Sequence, residues 1–266
     1  MREKHRELYQ QTIGWVRAAG NMIKEYIEAG EIRFESKSDA TDLVTMMDRA
    51  VEELMVEKIK QYAPDHQILG EEGIAGEAND FSGYIWLIDP IDGTSNFVTQ
   101  KNDFVISVAL YNQQQGVFGI VYDVMKDEMI HAMKGEGLFL NQRRIKPMNS
   151  KMRLIDALLS LEFIIRTEEQ LEAHQKLLAI ASKVRGIRAY GATALSLAKL
   201  ALGKNNGYLT WGTNPWDFGA GRILVEEAGG IITDFQGNPL QLDRRNSIIA
   251  CHPDIYQSLL QFIRSL

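Results

Sequence analysis

Only one cysteine, Cys251, occurs in the 266 residues, so neither an internal disulfide nor a cysteine-based zinc cluster can be built. No apolar run approaches the ~20 residues of a membrane span. The opening MREKHRELYQQ has no apolar core of a secretory signal, which makes the cytoplasm the expected location. Positive charge is also short. With 29 Lys+Arg against 35 Asp+Glu the formal net charge is -6, so no surplus of cations is available to displace the counterions of a nucleic acid. Internal repeats, low-complexity tracts and Pro/Gly/Ser-rich linkers are missing as well. What remains is 45% hydrophobic and 24% charged, the composition of an ordinary globular protein. A chain of this length can bury a full core without staples, as one large domain or two fused halves.

The first segment reads as an amphipathic helix. Leu8, Trp15, Val16, Ala19, Met22, Ile23, Tyr26 and Ile27 recur at helical spacing and Gly30 follows as a stop. A polar stretch, Glu35 to Asp39, leads into a second helix with the stripe Val44, Met47, Val51, Leu54, Met55 and Ile59, ended by Pro64. Short strand-like runs then dominate: Ile68-Leu69, Tyr84 to Ile88, Phe104 to Leu110, Val117 to Tyr122 and Met129 to Met133. Beyond about residue 150 the pattern alternates. Strands are expected at Leu158 to Phe163, Gly207 to Trp211, Ile231 to Thr233 and Ser247 to Ala250. Helices are expected at Glu168 to Val184, Ala194 to Leu202, Trp216 to Ala228 and the end of the chain. This order predicts a mixed α/β chain in two halves, 1–148 and 149–266, forming a single catalytic unit.

Three acidic segments stand apart from this scaffold: Gly70-Glu71-Glu72-Gly73, the run Trp86 to Phe97 (WLIDPIDGTSNF), and Asn214 to Gly221 (NPWDFGAG). In the middle one a buried-looking strand delivers Asp89, and Pro90 fixes the backbone and donates no hydrogen bond. Asp92 follows across a tight turn, so both carboxylates can face one point. Gly93 and Thr94 then offer backbone N–H groups at a helix start, a place that attracts anions such as phosphate. Carboxylates beside an anion site repel the anion unless cations lie between them. Oxygen donors without nearby His or Cys suit a hard cation such as Mg²⁺. Each segment alone reads as a turn, a solvated loop or a helix cap; together in one chain they point to a site.

On these residues the sequence resembles the inositol monophosphatase family of metal-dependent phosphomonoesterases, along essentially its whole length. LVTMMD, residues 43–48, matches the family's Val-Thr-x-x-Asp stretch. The resemblance implies a layered αβαβα sandwich of the type shared with fructose-1,6-bisphosphatase, a small phosphorylated metabolite as substrate, a homodimer and lithium sensitivity. It implies two or three Mg²⁺ ions. Glu71, Asp89 and the Ile91 carbonyl would hold the first, and Asp89, Asp92 and Asp217 the second, with Glu71 helping to hold a weaker third. Gly93 and Thr94 would cradle the phosphate, and a Thr94–Asp48 pair would orient and deprotonate the attacking water. Charge balances: four ligating carboxylates give about -4, three Mg²⁺ about +6 and a phosphomonoester dianion about -2. In-line attack by a metal-activated water follows, with no covalent phosphoenzyme.

The substrate is less fixed. Inositol-binding members place a Glu seven residues before the metal-binding Asp, where this chain has Thr210, and Thr193 stands where a small Ala is common. Thr193, Thr210 and Trp211 are therefore expected to contact substrate alongside Asp92 and Asp217. A myo-inositol monophosphate is the first expectation, with fructose-1,6-bisphosphate, NADP(H) and bisphosphorylated nucleosides as alternatives. Gly219, where the family has Ala or Cys, is expected only to ease packing. Lys37, in the polar loop from Ser36 to Asp42, is a candidate for covering the third ion.

Rival chemistries fail on spacing. Asp89 and Asp92 have two residues between them, not the one of a haloacid-dehalogenase-type Asp-x-Asp. Six positions after Cys251 stands Gln257 rather than the Arg of a cysteine phosphatase, and no Gly-x-x-x-x-Gly-Lys loop exists. The five histidines are scattered without ligand spacing and read as structural or surface residues. A catalytically dead, regulatory homologue is the reading from another class, and the presence of every expected ligand argues against it.

Overall fold

The apolar runs of this chain are buried on both faces of their strands, and that decides the layering. The computed structural model describes residues 2–30, 34–36, 43–76, 78, 81–148, 151–163 and 167–266. In order these form α1 (Arg2–Glu28), β1 (Phe34–Ser36), β2 (Leu43–Thr45), α2 (Met46–Tyr62), β3 (Gln67–Gly70), β4 (Tyr84–Asp92) and α3 (Thr94–Gln100). A meander follows: β5 (Val105–Asn112), β6 (Gln115–Asp123), β7 (Glu128–Met133), β8 (Gly137–Leu140) and β9 (Arg143–Arg144). The rest comprises β10 (Leu158–Leu161), α4 (Glu168–Leu178), β11 (Gly186–Arg188), α5 (Thr193–Ala201), β12 (Gly207–Thr213), α6 (Pro215–Glu227), β13 (Ile231–Thr233), β14 (Asn246–Cys251) and α7 (Pro253–Arg264).

Strands β3 to β9 make a seven-stranded sheet in sequence order, parallel only between β3 and β4. The second sheet has the order β11-β10-β12-β14-β13, with β10 parallel to both neighbours and β14 antiparallel to both of its own. Alternation along each strand sends side chains to different layers. Trp86 and Ile88 of β4 pack with Val16, Ile23, Val51 and Met55 from α1 and α2. Ile85 and Leu87 point the other way, into a core shared with Leu197 of α5, Phe218 and Leu224 of α6, and Tyr208 and Ala250 of the second sheet. Leu209, Ile249 and Cys251 face a third core closed by Leu177 of α4 and by Ile255 and Leu259 of α7. The result is the αβαβα sandwich. Cys251 is fully buried there, and burial pushes its thiol pKa up.

Helix α6 lies unusually close to the first sheet. A Cβ at Gly119 of β6 would stand 2.7 Å from the Ala220 carbonyl oxygen, so only glycine lets the helix seat there. Gly219 eases packing on the same side: the end of the Leu87 side chain, Cδ1, occupies the space a Cβ would take, at 2.4 Å.

Other departures are local. Val44 belongs to β2, not to the helix, and β2 pairs with β1 in a hairpin that the polar composition of residues 35–39 conceals. Residues 37–42, Lys37 among them, lie outside the described residues. The helix expected over Glu168 to Val184 stops at Leu178 and continues as a 3₁₀ turn, Ala179–Lys183. Strands β8, β9 and β11 are too short to register as apolar runs.

Candidate active site

Strand β4 runs on past Ile88 through Pro90 to Asp92, and its pairing with β5 slips between Asp89 and Asp92. Pro90 has no N–H to give the ladder, and the irregularity brings two carboxylates on one strand end toward the same space. Both are buried, Asp89 at 2% exposure and Asp92 at 7%. Asp89 Oδ1 accepts from the Ile91 N–H at 3.1 Å. Asp92 accepts from the N–H groups of Thr193 and Leu195 at 3.0 and 3.1 Å, capping the start of α5 from another part of the chain. Gly93 follows with φ 93°, a left-handed conformation that favours glycine, and turns the chain into α3.

Asp217 reaches the same space from the first turn of α6. Its Oδ2 accepts from the Thr213 hydroxyl at 2.6 Å and from the Asn214 N–H at 2.8 Å. Asn214 and Pro215 supply the helix start that orients it. Glu71 follows β3, and its N–H donates to the Ile88 carbonyl at 3.1 Å.

The Glu71 loop is held by a residue that sequence reasoning missed. Glu52, fully buried on α2, accepts from the N–H groups of Glu72 and Ile74, both at 2.8 Å. Gly70 makes room, since a Cβ there would sit 2.4 Å from the Glu52 carboxyl carbon. The available signal was a charged residue beside Val51 on an apolar helix face. Glu52→Gln retains the shape but points an NH₂ at one of the two N–H donors. It is expected to lower stability by about 1–3 kcal/mol and to loosen the loop that carries Glu71, as measured by denaturant unfolding and by amide hydrogen exchange of residues 71–74.

Thr94, the first residue of α3, donates its single hydroxyl proton toward two acceptors, the Ile91 carbonyl at 3.1 Å and Asp48 Oδ1 at 3.4 Å. Asp48 lies behind it, buried in the first turn of α2.

These elements enclose one cavity of about 920 Å³. Glu71, Asp89, Ile91, Asp92, Gly93, Thr94, Thr193, Thr210, Trp211 and Asp217 all line it, and Asp48 stands behind Thr94. The Thr193 hydroxyl is tied to the Tyr208 hydroxyl at 2.8 Å. Trp211 packs edge-to-face on Phe235 with centroids 4.7 Å apart. Glu162, His174 and Arg245 are among the lining residues outside the set expected from the sequence. Glu162 follows β10, and His174 of α4 donates from Nδ1 to the Gln170 carbonyl at 2.6 Å. The other histidines serve the scaffold. Trp86 Nε1 donates to His66, His131 bridges Tyr9 and the Asn141 carbonyl, His5 bonds Tyr84, and His252 caps α7.

The electrostatics of the cavity are one-sided. Burial first, then the carboxylates of Glu71, Asp92 and Asp217, holds Asp89 well above the usual carboxylate range. Burial and Asp217 do the same to Asp92, against the opposing N–H bond from Leu195. Asp217 is also raised by burial, with its Thr213 and Asn214 bonds and the charge of Arg245 working against the rise. Among the described residues no three His, Cys, Asp or Glu side chains close round a single point; what these carboxylates share is a cavity and a field. An all-oxygen donor set under mutual repulsion fits a hard divalent cation, with the Ile91 carbonyl as a neutral donor. Glu71, Asp89, Asp92 and Asp217 could hold one.

A model of the inositol monophosphatase family matches residues 4–265. The chain belongs to the inositol monophosphatase family. Inositol-1-monophosphatase of Bacillus subtilis is 35% identical over 247 residues, covering 93% of this chain and 92% of the relative. Nus factor SuhB of Pseudomonas aeruginosa is 34% identical over 253 residues, with the same coverage. A crystal structure of inositol monophosphatase II from Staphylococcus aureus is 32% identical with a TM-score of 0.85, covering 97% of this chain and 94% of that one. As an inositol monophosphatase family member the chain is a phosphomonoesterase, and among its described residues no helix is long and apolar enough to cross a membrane.

Proposed function

We propose that this phosphomonoesterase is Mg²⁺-dependent and hydrolyses a myo-inositol monophosphate at the carboxylate cavity. The observation that carries the reading is the gathering of Asp89, Asp92, Asp217 and Glu71 in one cavity with the Thr94–Asp48 pair at its wall. Glu71, Asp89 and the Ile91 carbonyl would hold one Mg²⁺, and Asp89, Asp92 and Asp217 another, with Glu71 shared toward a third. When bound, Mg²⁺ supplies positive charge against the phosphoryl oxygens and leaving group and lowers the pKa of water. Gly93 and Thr94 border the phosphate at the start of α3. Thr94 Oγ1 orients the attacking water and takes its proton while passing its own to Asp48 Oδ1. Once the Ile91 carbonyl serves as a ligand, Asp48 is the acceptor left to the Thr94 hydroxyl.

Charge favours a monophosphate. Arg245 is the one Lys or Arg among the described residues lining the cavity, and it also bonds the Gly212 carbonyl at 3.0 Å. A second phosphate, away from the ions, would face Glu162 with only Arg245 among the described lining residues to offset it. The test is a phosphate-release panel. kcat/KM for inositol 1-phosphate is expected to exceed that for fructose-1,6-bisphosphate, NADP and adenosine bisphosphates; a dominant nucleotide would overturn the inositol assignment and leave the hydrolytic chemistry standing. A homodimer in the cytoplasm and inhibition by lithium belong to the same reading, and light scattering and a lithium titration test the dimer and the inhibition.

The Nus factor relatives raise a second reading, a regulatory homologue. The two separate on turnover, because a non-catalytic regulator would leave wild type and Asp89→Asn equally inert.

A further inference from the structure

Two residues that line the cavity each carry a buried polar atom without a partner among the described residues: the acceptor Glu162 Oε2 and the donor Trp211 Nε1. Their backbone positions are adjacent. Strand β10 pairs with β12 at Leu161 and Leu209, and the Glu162 N–H donates to the Leu209 carbonyl at 3.3 Å. Glu162 therefore stands across from Thr210, one residue before Trp211, and both Glu162 and Trp211 line the cavity from the second sheet, whereas Asp89 and Asp92 reach it from β4. A buried carboxylate oxygen without a donor and a buried indole N–H without an acceptor each forfeit the hydrogen bond they had in water. Burial, and then the charge of Asp217, pushes the Glu162 pKa up to about 7, as expected of an acid whose partner is not supplied by the fold. Phe235 clamps the indole edge-to-face, so Trp211 is a fixed element of the wall.

We propose that Glu162 and Trp211 are the specificity pair for the leaving group, Glu162 Oε2 accepting from one substrate hydroxyl and Trp211 Nε1 donating to the oxygen of another. This rests on the phosphomonoesterase reading of the cavity. The pair fits a polyhydroxylated ring, a cyclitol or sugar, carrying its phosphate at the metal carboxylates. It offers nothing to an aryl or alkyl leaving group and repels a second phosphate. The uncharged Thr210 adds no competing carboxylate, so the acidic contact to the ring comes from the neighbouring strand.

The experiment compares kcat/KM for inositol 1-phosphate and for p-nitrophenyl phosphate, whose leaving group has no ring hydroxyl. It uses the Mg²⁺-supplemented full chain as wild type, Glu162→Gln, Glu162→Leu and Trp211→Phe. Glu162→Leu and Trp211→Phe are expected to lower kcat/KM for inositol 1-phosphate by about 10-fold or more, and Glu162→Gln by less, with p-nitrophenyl phosphate nearly unchanged. Because each variant supplies its own ratio between two substrates, a reduced folded fraction cancels. An unchanged ratio, with the two atoms satisfied by water instead, overturns the proposal. Wild type that releases phosphate from p-nitrophenyl phosphate while the ratio stays flat overturns the specificity pair alone; wild type inert on both substrates overturns the reading beneath it as well.

Discussion

Replacing Asp89 with asparagine is expected to abolish Mg²⁺-dependent phosphate release and, in the metal-free protein, to raise the melting temperature. Both effects have one cause. Asp89 is 2% exposed and faces Glu71, Asp92 and Asp217 across the cavity. Its folded pKa is raised above the unfolded value. The stability it contributes is therefore fully present below the unfolded carboxylate pKa and is lost as pH rises through the folded pKa. Metal-free wild type should consequently melt higher in mild acid than at neutral pH. Asparagine keeps the Oδ1 acceptor for the Ile91 N–H while removing the charge at every pH, which flattens that dependence. Relief of an uncompensated buried charge is of the order of a few kcal/mol, or roughly 2–4 °C for each kcal/mol in a chain of this size. With Mg²⁺ the order reverses, since the ion stabilises only the protein that binds it. Scanning calorimetry in chelator and in Mg²⁺, beside a phosphate-release assay, measures all of this. Near-wild-type turnover with an unchanged melting point would sink the assignment of Asp89.

Removing the Thr94 hydroxyl should act differently. Thr94→Ala is expected to lower kcat by about 10²–10⁴-fold, the range for loss of positioned proton transfer, with KM and the Mg²⁺ requirement much less affected. Among the described residues the hydroxyl bonds the Ile91 carbonyl and Asp48 alone, so the direct structural loss is about 1 kcal/mol. Thr94→Ser retains the hydroxyl and should recover much of the rate, whereas Asp48→Asn should resemble Thr94→Ala. Steady-state kinetics over a Mg²⁺ series separates the cases. A loss in Thr94→Ala that excess Mg²⁺ restores would make Thr94 part of the ion site instead of the proton path.

Legibility in the sequence followed how local each feature is. Asp89, Asp92 and Asp217 were readable because each lies at a strand end or helix start, marked by Pro90, Gly93 or Asn214-Pro215. The long helices and β4 to β7 were readable from apolar periodicity. Glu52 and Glu162 were not, because their meaning comes from tertiary placement. Glu52 matters through two N–H groups some twenty residues away in sequence. Glu162 matters through the register of β10 on β12. The β1–β2 pair escaped because its strands are three residues each and a polar stretch separates Phe34 from Leu43 and Val44 in the sequence. For Gly219 the sequence shows that the residue is small but not that Leu87 fills the space beside it.

The most direct measurement is phosphate release from inositol 1-phosphate by the wild-type chain, followed as Mg²⁺ is titrated from chelator-treated protein. Turnover should be undetectable in chelator, rise with Mg²⁺ to saturation and stay absent in Asp89→Asn at every concentration. Turnover that persists in chelator, or that Asp89→Asn shares, would contradict hydrolysis at the carboxylate cavity.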